Sequence, residues 1–117
     1  MELFDTTQLS LAAALRGADA RQAALAGNLA NVDTPGYARR DVDFHATLQA
    51  VLGAGADPSG AAFTAQPDTA APVRADGNSV DVDAENSALA QNALEYDALA
   101  RVATARVDIL KSAMGVG

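Results

Sequence analysis

The sequence has no cysteine, no tryptophan and a single histidine, His45, and aromatic residues make up only 4% of it. Without cysteine there is no disulfide framework, no thiolate nucleophile and no cysteine-ligated zinc site. One imidazole cannot serve a site that needs two. Positive charge is scarce too: 8 Lys and Arg stand against 15 Asp and Glu, a formal net charge of −7. Phosphate contacts need clustered Lys and Arg, so no nucleic-acid partner is expected. No apolar run approaches the ~18 residues of a membrane span, so direct membrane insertion is not expected either. The opening Met1-Glu2-Leu3-Phe4-Asp5 has no basic segment leading into an apolar one, which argues against a cleavable Sec-type signal.

What is present is largely alanine. Half of the 117 residues count as apolar, but about half of those are Ala. Leu, Ile, Val and Phe come to about a fifth of the chain, near the level at which charged chains stay disordered. The length suits one small domain, and a private core would be thin. The expectation is a chain that cannot finish its own interior, stays largely unfolded alone, and packs long helices on neighbouring chains.

The first zone, about Thr6 to Asn31, has no proline. Phe4, Leu11, Ala18, Leu25 and Val32 recur every seven residues, with a second row of Gln8, Leu15, Gln22 and Leu29. These rows form an a/d seam over about four heptads, which keeps one stripe against a partner helix. Asp5 and Gln8 have capping-box spacing, and the helix would run roughly 40 Å. Gly17 and Gly27 should weaken it by about 1 kcal/mol each. From about Ala84 to Met114 the pattern returns: Leu89, Tyr96, Ala103 and Leu110 are seven apart, as are Asn92, Leu99 and Arg106, while Val102 and Ile109 widen the apolar face. Asp83 is the expected N-cap, Glu85 suits the positive helix end, Lys111 sits in the last turn and Gly115 supplies the stop.

Between these zones the composition changes. Gly53 to Ala75 is rich in Gly, Pro, Ala, Ser and Thr, with only Phe63 and Val73 as bulky apolar residues, and reads as a flexible or conditionally ordered linker. Phe44, Leu48, Val51 and Leu52 fit a short helix ending at Gly53. Asp41 to Phe44 and Ser79 to Asp83 alternate as half-exposed extended segments do. The expected fold is mainly α: two long terminal helices in a coiled-coil-like hairpin, with an irregular, partly extended central arm. The parts are 1–37, 38–83 and 84–117.

Asn28 to Tyr37 is the densest segment. Asn31 tolerates the left-handed region, Pro35 cannot continue a helix, and Thr34-Pro35-Gly36-Tyr37 fits a type II turn with Gly36 at positive φ. Tyr37 follows as a common kind of interface anchor; a plain helix stop is the other reading. The acidic run Asp76 to Glu85 raises a calcium question. Counting an EF-hand loop from Asp76 puts Val80 fifth and Asp81 sixth, and counting from Asp81 puts Asn86 sixth and Asn92 twelfth, so both registers fail. Read plainly, it is a Gly-Asn turn leading to a short strand and a helix cap. His45, beside Phe44, is expected to be a surface or packing residue. No catalytic constellation, metal site or cofactor site is expected.

Asn28-Leu29-Ala30-Asn31-Val32-Asp33-Thr34-Pro35-Gly36-Tyr37 resembles the NxANxxTPGY signature of flagellar axial proteins (rod, hook and hook-associated families). The run Arg40-Asp41-Val42-Asp43-Phe44 after the turn, the segment Asp76 to Glu85, and the spacing of Asn92 and Tyr96 are similar to the proximal members of the basal-body rod family. Only Gly53 to Ala75 is unmatched; the centre is short, and Ala38 stands where Lys is common. The resemblance implies a non-enzymatic structural subunit of the flagellar basal-body rod, located in the periplasm. It also implies export through the flagellar type III apparatus without signal cleavage. The implied partners are other rod proteins, the rod adaptor and the MS ring, in an oligomeric assembly. The expected packing set is Leu11, Leu15, Leu25, Leu29, Leu89, Tyr96, Leu99 and Leu110. Thr34 to Tyr37 and Arg40 to Phe44 are expected to form an arm that locks adjacent subunits, and Asn28, Asn31 and Asn92 complete the assembly residues. Two further readings remain at this point: a stand-alone helical-hairpin adaptor in a small closed oligomer, and an acidic calcium- or magnesium-dependent enzyme.

Overall fold

Asp5 adopts an extended backbone and its carboxylate accepts from the Gln8 N–H at 2.9 Å, which fixes the start of the first helix. The computed structural model describes residues 5–115; Phe4, the first member of the sevenfold row, lies outside the described residues. Helix α1 spans Thr6–Ala30. The capping box closes on one side only, because the buried Gln8 Oε1 has no partner among the described residues. Asn31 ends the helix, with its side-chain amide donating to the Gly27 carbonyl at 2.9 Å. Strand β1, Arg40–Asp41, pairs antiparallel with β2, Gln66–Pro67. Helix α2 is Phe44–Gly53, a single 3-10 turn covers Pro58–Gly60, and helix α3 is Val82–Ala113. Gly115 takes φ 74° just beyond α3, the left-handed stop expected there.

Two extended segments come out shorter than the alternation suggests. Only Arg40–Asp41 pairs as strand, because the Asp43 carboxylate accepts from the Ala46 N–H at 3.1 Å and starts α2 at Phe44. Ser79 to Asp83 forms no strand, and the cap of α3 is Asp81, not Asp83. The Asp81 carboxylate accepts from the Asp83 and Ala84 N–H groups at 3.0 and 3.2 Å, so Val82 and Asp83 are already helical. The central stretch is irregular, as its composition requires, but it follows a fixed path along α1. The Arg16 guanidinium donates to the carbonyls of Pro58, Ser59 and Ala61 and lies 5.6 Å over the Phe63 ring.

Helices α1 and α3 run antiparallel. The order is set by Arg106 on Asp5 near one end, Asn92 on the Ala18 carbonyl in the middle, and Asn28 on Glu85 at the other. Ala18 and Leu25 of the first seam row are fully buried, whereas Leu11, Leu15, Leu29, Leu89, Leu99 and Leu110 are half-buried and Tyr96 is exposed. Phe44 is seated over Gly17, where a Cβ would come within 2.5 Å of the Phe44 Cβ. Gly17 is thus a packing notch rather than a weak point in α1. Ala18, Val42 and Phe44 form the central cluster, flanked by Leu48 and Phe63. The core is thin, as expected, and half of its buried apolar residues are alanine. The molecule measures 62 × 30 × 15 Å, with a radius of gyration of 17.5 Å, against about 13 Å for a compact chain of this length.

Candidate assembly site at the base of the hairpin

Thr34 to Tyr37 forms the expected type II turn. The Tyr37 N–H donates to the Thr34 carbonyl at 3.2 Å, and Gly36 has φ 77°. The turn is held by the segment that leads into α3. The Gly36 N–H donates to the Asp76 carbonyl at 2.9 Å and the Ser79 N–H to the Tyr37 carbonyl at 3.0 Å. Asn78, fully buried, shares its two amide hydrogens among the carbonyls of Asn31, Val32 and Thr34, while its Oδ1 accepts from the Val80 N–H at 2.7 Å. The Arg74 guanidinium donates to the Val32 and Val80 carbonyls. Backbone groups left without helical partners at the end of α1 are therefore satisfied by one asparagine and one arginine from the other side of the junction.

Beneath the turn lies a charged cluster. Glu85 is 1% exposed, yet it sits in the first turns of α3. Its carboxylate accepts from the Arg39 Nε and from the Asn28 Nδ2, the latter at 3.2 Å. Arg39 also donates to Asp68 at 2.6 Å and to Asp41 at 3.3 Å, and Asp41 takes a bidentate bond from Arg21. Asn28 donates to the Arg40 carbonyl at 2.7 Å and accepts from its N–H at 2.9 Å, closing the free edge of β1 as a neighbouring strand would. The hydrogen bond to Glu85 raises the Arg39 guanidinium further above its ordinary range, against the opposing effect of burial. At Asp41 burial alone would raise the carboxyl, but the Arg21 hydrogen bond, the Val42 N–H and Arg39 outweigh it and hold the group below the usual carboxylate range. Two antiparallel helices, a turn and a strand are thus locked by charge-assisted bonds that cross the whole sequence.

The predicted residues divide by exposure. Leu25, Asn28, Phe44 and Asn92 are buried within this chain, where Asn92 donates to the Ala18 carbonyl and to Gln22. Asn31, Tyr37 and Asp41 are half-buried in the junction, and Thr34, Pro35, Gly36 and Arg40 face solvent. Sequence reasoning missed Arg39, Asn78 and Glu85 as junction residues. Glu85 had a visible signal: it lies seven residues before Asn92 and so continues the seam row into the interface. His45 is exposed, stacked on Phe44 with ring centroids 4.2 Å apart and paired with Glu95. No helix among the described residues is long and apolar enough to cross a membrane.

A family model described as flagella basal body rod protein matches residues 9–37, from α1 through the Tyr37 turn. The first helix and its turn are thus similar to those of rod-type structural subunits of the bacterial flagellum. The chain is 32% identical to the flagellar basal body rod protein FlgB of Bacillus subtilis (strain 168), across 100% of this chain and 99% of the relative. It is 37% identical to FlgB of Escherichia coli (strain K12) and of Salmonella typhimurium, across 65% of this chain and 69% of each relative. The chain belongs to the FlgB family of flagellar basal body rod proteins. It is a structural component of the basal-body rod in flagellum-dependent motility, associated with other basal-body components.

Proposed function

We propose that the chain is a proximal rod subunit that works by helical self- and hetero-assembly in the periplasm and carries out no catalysis. Its partners on this reading are other rod proteins, the rod adaptor and the MS ring, and it reaches them through the flagellar type III export apparatus without signal cleavage. The observation that carries the reading is the elongated helical pair with a thin private core. Burial left incomplete in one chain can be completed against neighbours, and heterologous contacts that do not close into a ring build helical assemblies. Thr34, Pro35 and Gly36 project from the base of the hairpin in a shape fixed by Asn78 and Asp76, which suits the turn to contact an adjacent subunit. The closed-oligomer adaptor finds no support in the family membership.

The test is Gly36→Val in a strain lacking its own copy of the protein. At φ 77° a β-branched residue is strained, by about 1–2 kcal/mol or more. The expected result is normal protein level with loss of swimming and of the protein from purified basal bodies. Gly36→Asn, which tolerates the left-handed region, should keep part of the function. Normal swimming with Gly36→Val would remove the turn from the mechanism.

A further inference from the structure

Helix α3 carries an outward face that none of the described residues covers. Leu94, Val102 and Ile109 are 72%, 50% and 67% exposed. Exposed Ala98 and Ala105 fill the positions between them. The spacing of four, four, three and four residues keeps all five on one stripe. Lone exposed apolar residues are ordinary, but an aligned stripe over four turns marks an interaction surface. Along one margin of this stripe lie Asp97 and Asp108, both exposed, and the Arg101 between them is paired with Asp97 at 2.9 Å.

We infer that this face seats a basic amphipathic helix of another polypeptide rather than a second copy of this chain. The inference rests on the assembly reading above and names the chemistry of one partner. Six of the seven arginines of this chain are spent away from this face, and the seventh, Arg101, is exposed on it and paired with Asp97. Arg21, Arg39 and Arg106 bind Asp41, Glu85 and Asp5, and Arg16, Arg40 and Arg74 donate to backbone carbonyls. A second copy presenting the same face would set Asp97 and Asp108 against themselves, with −7 on each chain. A helix with an apolar seam and flanking Lys or Arg meets both the stripe and its acidic margin.

The test titrates the full-length protein with two synthetic helical peptides that share a Leu/Ile seam, one flanked by lysine and the other by glutamate. The lysine peptide should bind, with affinity falling as salt rises. Val102→Glu should weaken it at least tenfold with helicity unchanged. Asp97→Lys/Asp108→Lys should weaken it as well and turn the preference towards the glutamate peptide. Equal binding to wild type and both variants would overturn the inference. So would a wild-type dimer in sedimentation velocity that Val102→Glu dissolves, since the seat would then belong to a second copy. Basal bodies purified from a complemented strain separate this inference from the one beneath it. Wild type present and Val102→Glu absent is expected, and both present overturns the seat alone. Wild type absent overturns the rod reading itself.

Discussion

Two glycines of α1, ten residues apart, should respond to the same substitution with opposite signs. At Gly17 an added Cβ would lie 2.5 Å from the Phe44 Cβ and 2.8 Å from its Cγ, whereas at Gly27 it would meet nothing within 4 Å. Gly→Ala in a helix interior gains about 1 kcal/mol of propensity. Forcing a methyl into a filled interior costs about 1–3 kcal/mol, because the neighbours must move. Gly27→Ala should therefore stabilise by up to about 1 kcal/mol. Gly17→Ala should destabilise by about 1–2 kcal/mol after the propensity gain is subtracted from the upper part of the overpacking range. Trimming Phe44 does not relieve the conflict, since the nearest atom is its Cβ, which every residue but glycine keeps; the helices themselves must separate. Urea unfolding followed by circular dichroism at 222 nm, started in trimethylamine N-oxide to favour the folded state of a chain with so thin a core, reads both variants against wild type, with Cm as the measure. A Gly17→Ala protein that gains stability as Gly27→Ala does would refute the notch and the seating of Phe44 on α1.

Two further outcomes test the charged junction. Glu85→Ala removes one of three carboxylates from Arg39 and one of two acceptors from Asn28, and should cost about 1–3 kcal/mol, since Asp68 and Asp41 still pair the guanidinium. Glu85→Gln keeps an acceptor oxygen and should cost less, which urea Cm values will show. At Asp41 the folded pKa lies below the unfolded value of about 3.9. Its pairing therefore stabilises fully above that pH and is lost as pH falls through the folded value. Asp41→Asn should lower Cm at pH 6 by more than at pH 3, and a gap that stays constant would show that the ion pairs with Arg21 and Arg39 contribute nothing.

Local chemistry made the long elements and the turn readable. Seven-residue spacing put Ala18 and Leu25 on the buried side of α1, Asp5 began the helix, and Thr34-Pro35-Gly36-Tyr37 allowed only one kind of turn. The junction was harder, because its bonds join residues far apart: Arg39 with Glu85 across 46 positions, Asn78 with Thr34 across 44, Arg16 with Ala61 across 45. An acid in the first turns of a helix ordinarily sits in solvent beside the dipole, and only the fold brings Arg39 and Asn28 over Glu85. The central stretch is poor in apolar residues and lacks periodicity, so nothing in it announces that an arginine from α1 would fix its path. Capping by Asp81 instead of Asp83 turned on which of two similar carboxylates had an extended backbone, and the φ of −111° at Asp81 settles it.

The interior of this subunit is polar at the places where a stable monomer would be apolar. Glu85, Asn28, Asn78 and Asn92 are all buried while Leu94, Val102 and Ile109 are left outside. A buried ion pair is often no more stabilising than well-packed hydrophobic side chains of similar volume, and breaking it is costly. Such an interior contributes less to the depth of the fold than to its uniqueness: Asn28 accepts from the Arg40 N–H and donates to the Arg40 carbonyl in one register, and Asn78 donates to the carbonyls of Asn31, Val32 and Thr34. The large apolar side chains that could have deepened the core lie on the outer face of α3, where they stabilise nothing until a partner covers them. On the assembly reading the two features belong together. The junction fixes how α1, the turn and α3 are presented, and the free energy withheld from the monomer is released when the outer face is buried.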